Sequence, residues 1–392
     1  MHSMSAVPQV SPQELATALE LGEPLQVLDL RAPGAVAVGR IDLVPAGRFF
    51  NIVGTRVMAL ATLEGTGIDP DVPVVVVCGH GVDSVALVPH LARLGCRASS
   101  LRGGMAAWMA LVVPRDLEPP RSADRFVQLD RVGKGALGYV LASGGEALVV
   151  DPPRDATAYL RAVDEAGAKV VAIADTHCQA DYVSGAPALA RTLGVPYYLH
   201  PADALHAYDG APGRLDFTPL EDGGTLRVGR SAITAIHTPG HTEGSLCYLI
   251  DGEAALTGDF IFVASVGRPD LAGKTREWTA ALWNSLDAAR RRWPRTLMIY
   301  PAHYRSESER RAGHAIGAPF GQLLRENEAL RITDGEAFAR WVLGHEAAFP
   351  EAYRTIKAVN VGLHPLDEGE AEELEAGRSE CALGGGRAPG RD

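Results

Sequence analysis

The chain has 392 residues, 46% of them hydrophobic and 22% charged, with a formal net charge of −11. Such a composition describes a folded globular protein too long for one ordinary core, so two domains are expected. The acidic balance without a basic stripe speaks against nucleic-acid binding, and the longest apolar runs, such as residues 74–78, are strand-sized and too short to span a membrane.

Residues 1–12 carry neither a basic start nor an apolar signal-type segment, so a cytoplasmic protein is expected. From about residue 11 to 114 the pattern is α/β, with buried strands over 25–30 and 73–78 and a helix over 84–94 stopped by Gly95. A short helix follows Arg102-Gly103-Gly104-Met105 and runs through Trp108. Residues 115–123 continue a proline-rich, charged stretch and read as a stiff linker. The second domain, 124–364, opens with strands over 126–129, 138–142 and 146–151. A helix over 156–166, a strand over 170–174 and a helix over 186–193 come next, then strands over 225–228, 233–237, 246–250 and 254–257. This order suggests sheet layers covered by helices on their outer faces. In the segment 307–363, Trp341, Phe349 and Tyr353 have packing spacings that suit a helical cover, and the acidic, Gly-rich tail 365–392 is expected to stay mostly disordered.

Ligand-type side chains gather at strand ends. His177 follows the apolar run 170–174, His241 follows the turn Pro239-Gly240, Asp259 follows Thr257-Gly258, and His303 follows Tyr300-Pro301-Ala302. Two histidines and a carboxylate, each closing its own strand, suffice to hold a divalent cation with positions left open. Scattered histidines (His2, His90, His206, His314, His345) and His237 are read as structural, and Cys178 as a packed thiol. The remaining cysteines, Cys78, Cys96, Cys247 and Cys381, stand at unrelated spacings that form no disulfide framework and fit a reducing compartment.

The segments THCQADYVSG, TPGHTEGS, LTGDF and YPAHY, in that order between residues 176 and 304, resemble the successive motifs of the metallo-β-lactamase superfamily. The resemblance implies an αββα sandwich. Two-metal members carry H-x-H-x-D-H in the first motif; here His177 and Asp181 stand, but Gln179 and Tyr182 occupy the other histidine positions. An amide oxygen is a weak donor, so the strong set is His177, His241 and Asp259. That set, with Gly267-Arg268-Pro269-Asp270, resembles the persulfide dioxygenase branch. The branch implies one Fe(II) per chain, with Zn(II) as the alternative, and a glutathione-like thiol persulfide and O2 as partners. Arg268 is then a substrate-carboxylate contact or a structural partner of Asp270. Asp181, Tyr182 and His303 either line the site or form a poor second metal position. That second possibility keeps open a zinc-dependent hydrolase of the glyoxalase II-like thioesterase type.

The strand over 74–78 leads into Gly79-His80-Gly81-Val82-Asp83-Ser84 and a helix; together with LDLR at 28–31 and LRGGMAAW at 101–108, this resembles a rhodanese-like parallel-sheet domain over 11–114. Cys78 stands at the sulfur-accepting position, where the helix N-terminus favours a thiolate. Asp83 replaces the arginine usual in sulfur-transferring members, so a sulfur acceptor and a docking or carrier domain both stay open, as does a non-catalytic chain with both sites decayed. A homo-oligomer is compatible with the sequence.

Overall fold

The structure, a computed structural model, describes residues 7–311, 313–345 and 350–383. Two compact units divide the chain. One comprises the N-terminal residues to Val113 with Arg131–Lys134 and Ala376–Arg378; the other comprises Pro114–Asp130, Gly135–Glu375 and the residues from Ser379 onward.

The first unit is a five-stranded parallel sheet in the order Gln9–Val10, Ala98–Leu101, Val74–Val77, Gln26–Asp29, Phe49–Asn51. Its central strands are buried on both faces, as a parallel sheet requires, and their Val and Leu side chains enter two cores, one on either side. The helix Val82–Arg93 follows the central strand directly, so the loop between them opens at the carboxyl edge of the sheet.

The second unit is a two-sheet sandwich. Seven strands run in the order Thr218–Pro219, Tyr197–Leu199, Lys169–Ala174, Glu146–Val150, Ala136–Ser143, Arg125–Arg131, Val112–Leu117. Six more run Thr225–Val228, Ser231–His237, Leu246–Ile250, Ala254–Gly258, Met298–Pro301, Ala318–Pro319. One core lies between the sheets, where Phe126, Tyr139, Leu148 and Val150 meet Ile233, Tyr248, Leu256 and Tyr300. The outer face of the six-stranded sheet carries Thr275–Arg292, Phe320–Glu326 and Gly335–Leu343, sealed by Leu282, Leu286, Phe320 and Phe338. The helices Thr157–Glu165 and Ala186–Leu193 lie against the seven-stranded sheet. This is the expected layered α/β arrangement. No helix of the described residues is long and apolar enough to cross a membrane.

Three expectations need correction. The linker at 115–123 is partly a strand: Val112–Leu117 forms the edge of the seven-stranded sheet with alternating burial, and Pro114 is tolerated because an edge strand has amides that need no ladder partner. The tail is not mostly disordered as far as it is described. Glu368–Leu374 is a helix with a complete Asp367/Glu370 capping box, and Cys381 and Leu383 are buried; residues 384–392 lie outside the described residues. Within 307–363 the helix Glu351–Asn360 reaches the metal-motif loop, with Asn360 Nδ2 donating to the carbonyls of Gln179 and Tyr182, both at 2.9 Å. Trp341 instead stacks on Phe338, and Phe349 lies outside the described residues.

Candidate metal centre

The histidines and carboxylates that the sequence motifs single out sit past strand ends. His177 and Asp181 lie on the loop after Lys169–Ala174, His241 follows Ser231–His237, Asp259 follows Ala254–Gly258, and His303 follows Met298–Pro301. Folding brings His177, His241 and Asp259 together, with one ligand atom of each within 4.8 Å of the others. Asp259 Oδ2 faces His177 Nε2 at 3.6 Å and His241 Nε2 at 3.3 Å, and all three side chains are at most 1% exposed.

The hydrogen bonds behind the two imidazoles set which nitrogen faces the group. His241 Nδ1 lies 2.9 Å from the Arg268 carbonyl; a carbonyl only accepts, so Nδ1 carries the proton and Nε2 offers a lone pair. His177 Nδ1 lies 2.9 Å from Thr176 Oγ1, whose own hydroxyl donates to Asp151 Oδ2 at 2.9 Å, so the same tautomer results. Neither Nε2, nor Asp259 Oδ2, has a hydrogen-bond partner. Three buried, mutually facing donors without partners are what a cation-binding group presents before its cation.

Electrostatics keep this group ready. Burial lowers His177 below the ordinary imidazole value and takes His241 down to about 3. For Asp259, burial acts upward, but His303 and His177 outweigh it and hold the carboxyl at about 2. A lowered histidine stays neutral until pH falls through its folded value, so protons compete with a cation at His177 only below the ordinary imidazole value and at His241 only near pH 3. Metal retained at this group after dialysis should be flat from pH 8 down through the ordinary imidazole value and fall only at lower pH. A loss centred near pH 6.5, where a free imidazole titrates, would contradict this.

His303 bridges to a second set. Its Nδ1 meets Asp259 Oδ1 at 2.6 Å and its Nε2 meets Asp181 Oδ2 at 3.1 Å. Burial alone would lower it, but the two carboxylates raise it to about 10. Asp181, His303 and Cys381 form the second group of potential metal ligands. Tyr182 does not join them: its hydroxyl donates toward the Asp151 carbonyl at 3.4 Å. The Gln179 amide nitrogen reaches Asp151 Oδ1 at 3.3 Å. Arg268 is 1% exposed and forks onto Asp270, Nε to Oδ1 at 2.9 Å and Nη2 to Oδ2 at 2.6 Å. This geometry forms the ion pair with Asp270, while the Arg268 carbonyl orients His241.

Among the bland histidines, His206 pairs with Asp209, His345 Nδ1 reaches the Trp341 carbonyl, and His237 stacks on His200; His2 lies outside the described residues. Cys178 is buried, and burial pushes its thiol up to about 12. Sequence reasoning missed two positioning carboxylates. Asp151 accepts the Thr176 amide at 2.7 Å as well as its hydroxyl. Asp203 accepts Cys178 N at 2.7 Å, Thr242 Oγ1 at 2.8 Å and Gly244 N at 2.8 Å, stapling the His177 loop to the His241 loop. Asp151 does close a buried strand, which is the signal that brought the ligands to notice. Asp203 follows His200-Pro201 and gives no comparable sign.

In the first unit the Cys78 sulfur accepts from the amides of Gly81 (3.1 Å) and Ser84 (3.4 Å) and contacts Ser84 Oγ at 3.2 Å. Gly104, at φ +61°, lets the next turn pass against this loop; a Cβ there would stand 2.5 Å from the Cys78 carbonyl. Asp83 is exposed on the first turn of the following helix.

A metallo-beta-lactamase superfamily model matches residues 133–303, and a rhodanese-like domain model matches residues 11–111. The hydroxyacylglutathione hydrolase of Acidiphilium cryptum is 33% identical over 227 residues, 52% of this chain and 88% of that protein. The human mitochondrial persulfide dioxygenase ETHE1 is 28% identical over 217 residues, 54% of this chain and 74% of that protein. The crystal structure of ETHE1 from Myxococcus xanthus shares the fold, with a TM-score of 0.50 at 20% identity over 64% of this chain and all of that one (100%). The chain belongs to the metallo-beta-lactamase superfamily and carries a rhodanese-like domain ahead of the sandwich. Its two groups of histidine, carboxylate and cysteine side chains are suited to holding metal.

Proposed function

We propose that this chain oxidises a low-molecular-weight, glutathione-like persulfide to sulfite with O2, using one Fe(II) held by His177, His241 and Asp259. The observation that carries the reading is the donor set itself: two imidazole Nε2 atoms and one carboxylate converge, while Gln179 and Tyr182 turn to Asp151 instead of supplying further imidazoles. Two histidines and a carboxylate with open positions suit iron and oxygen chemistry. The similarity to a persulfide dioxygenase supports the same choice.

Bound at this group, iron supplies the electron transfer that lets ground-state O2 react with sulfur. The chain's own residues do the rest. Thr176 and the Arg268 carbonyl fix the imidazole tautomers, Asp203 locks the two ligand loops together, and burial keeps bulk water from the reacting atoms. His303, between Asp181 and Asp259, is placed to hold a proton beside the site. The balance is RSSH + O2 + H2O → RSH + sulfite + 2 H+, with O2 taking the four electrons that the outer sulfur loses. Cys78, cradled by amides at a helix N-terminus, accepts or passes on sulfane sulfur.

The test is O2 uptake by iron-loaded protein given glutathione persulfide, with sulfite measured as product. Uptake matched to sulfite supports the reading, and none overturns it. Cys78→Ser should abolish sulfane-sulfur loading of the chain, read by mass as one added sulfur, while leaving uptake from preformed persulfide intact. The similarity to a hydroxyacylglutathione hydrolase favours a second reading, zinc-dependent hydrolysis of a glutathione thioester. It predicts thioester turnover without oxygen.

A further inference from the structure

A broad cavity of the second unit lies apart from the metal group. It encloses about 750 Å3, a size that suits a small molecule, and neither His177, His241 nor Asp259 lines it. Its walls are the helix Ala186–Leu193, the extended segment 214–218 and the end of the helix Glu351–Asn360. Arg214 N donates to the Val361 carbonyl at 2.7 Å, which joins the second wall to the third. Gly362, at φ +76°, leaves room for this junction; a Cβ there would stand 3.2 Å from the Arg214 carbonyl carbon.

The lining divides into an apolar part and a cationic part. Pro187, Val195, Leu215, Phe217 and Leu366 are half-buried and leave apolar surface uncovered in one concavity. Along 214–218 exposure alternates: Leu215 and Phe217 are half-buried, whereas Arg214, Asp216 and Thr218 are exposed. Arg191 is exposed on the helix wall, and among the described residues neither its guanidinium nor that of Arg214 has an ion-pair or hydrogen-bond partner. Asp216 sets one carboxylate against these two cations. The other polar groups of the lining are spent. Ser184 Oγ and Tyr197 Oη both donate to Asp175 Oδ2, at 2.7 and 2.9 Å. The Asn360 amide accepts from Ser184 N and donates to the carbonyls of Gln179 and Tyr182. Recognition of a charged head is therefore left to the arginines.

We propose that this cavity binds a free carboxylate carrying an alkyl chain, its chain against Leu215 and Phe217 and its head at Arg191 and Arg214. Covering the half-buried apolar surface favours the chain, and guanidinium groups suit a carboxylate head. The site needs neither metal nor O2, so it goes beyond the oxygenase reading and does not depend on it.

The experiment is isothermal titration calorimetry of the full chain with octanoate, octan-1-ol and acetate. Octanoate should bind saturably at one equivalent, and acetate, a head without a chain, should give no saturable heat. Octan-1-ol, a chain without a charge, should bind roughly threefold more weakly than octanoate, the range expected of exposed ion pairs. The double variant Arg191→Gln with Arg214→Gln should weaken octanoate by roughly the same factor and leave octan-1-ol unchanged. Ala188→Trp, which places an indole in the lining, should weaken both roughly tenfold or more, because the alkyl chain loses buried area. No saturable octanoate binding, octan-1-ol binding as tightly as octanoate, or unchanged octanoate affinity in the double arginine variant overturns the proposal. If Ala188→Trp fails to fold by circular dichroism, the double variant decides, since both arginines are exposed. Octanoate binding without O2 uptake defeats only the oxygenase reading, and uptake without octanoate binding defeats only this site.

Discussion

Asp259→Ala should leave the chain without metal at the histidine pair and without O2 uptake, a loss of at least about a hundredfold, since even supporting groups around metal ligands are worth ten- to a hundredfold. The expectation rests on how many roles this carboxylate has. Oδ2 faces both His177 Nε2 and His241 Nε2 as an anionic donor, and Oδ1 anchors His303 at 2.6 Å. Two imidazoles alone bind a divalent cation weakly, and neither would be held in place by charge. Asp259→Asn separates the two roles: the amide oxygen can still accept a hydrogen bond from His303 Nδ1, but the charge is gone. Metal should be lost there too, while the thermal melt stays closer to wild type than that of Asp259→Ala. Elemental analysis beside calorimetry reads both. Retention of one iron equivalent by Asp259→Ala would remove the carboxylate from the ligand set.

The strands were legible in the sequence because they are buried, β-branched runs with sharp turns at their ends; Thr225–Val228 and Leu246–Ile250 fall where the pattern places them. The two-histidine, one-carboxylate set was legible for the same reason, because each member closes such a run. What sequence could not supply is the partner brought in from far along the chain. Cys381 sits in a Gly-rich, acidic stretch with no periodicity, and its place depends on main-chain pairing with Val266, Gly267 and Arg268, which no side-chain pattern encodes. The capping box Asp367/Glu370 was readable evidence that the tail begins a helix, but composition argued the other way. Arg268 was balanced between substrate and Asp270 because one-dimensional spacing cannot say which way a guanidinium turns. The edge strand Val112–Leu117 was hidden by Pro114 and two flanking charges, which an edge tolerates.

Gly267→Ala should be more damaging than any single ligand change, because it strikes the framework of both metal groups at once. A Cβ at Gly267 would lie 1.9 Å from the Asp259 carbonyl oxygen and 3.0 Å from His241 Cβ and Cγ. The first contact is with backbone, so no rotamer change relieves it; either the 265–268 segment or the Asp259 turn must move. Overpacking of this kind in a closed core costs about 3 kcal/mol or more. For a unit of this size that corresponds to a fall in Tm of roughly 6–12 °C. Moving the segment outward also withdraws the Arg268 carbonyl from His241 Nδ1 and the Val266 and Arg268 main chain from Cys381 and Leu383. The variant should therefore lose metal from the His177–His241–Asp259 group. By contrast, Cys381→Ser is expected to keep the main-chain hydrogen bonds of residues 381–383 and to melt within a few degrees of wild type. Scanning calorimetry on the two variants, followed by metal analysis, separates these outcomes. If Gly267→Ala melts like wild type with metal bound at the His177–His241–Asp259 group, the close approach of Gly267 to His241 and Asp259 is not a constraint of the fold.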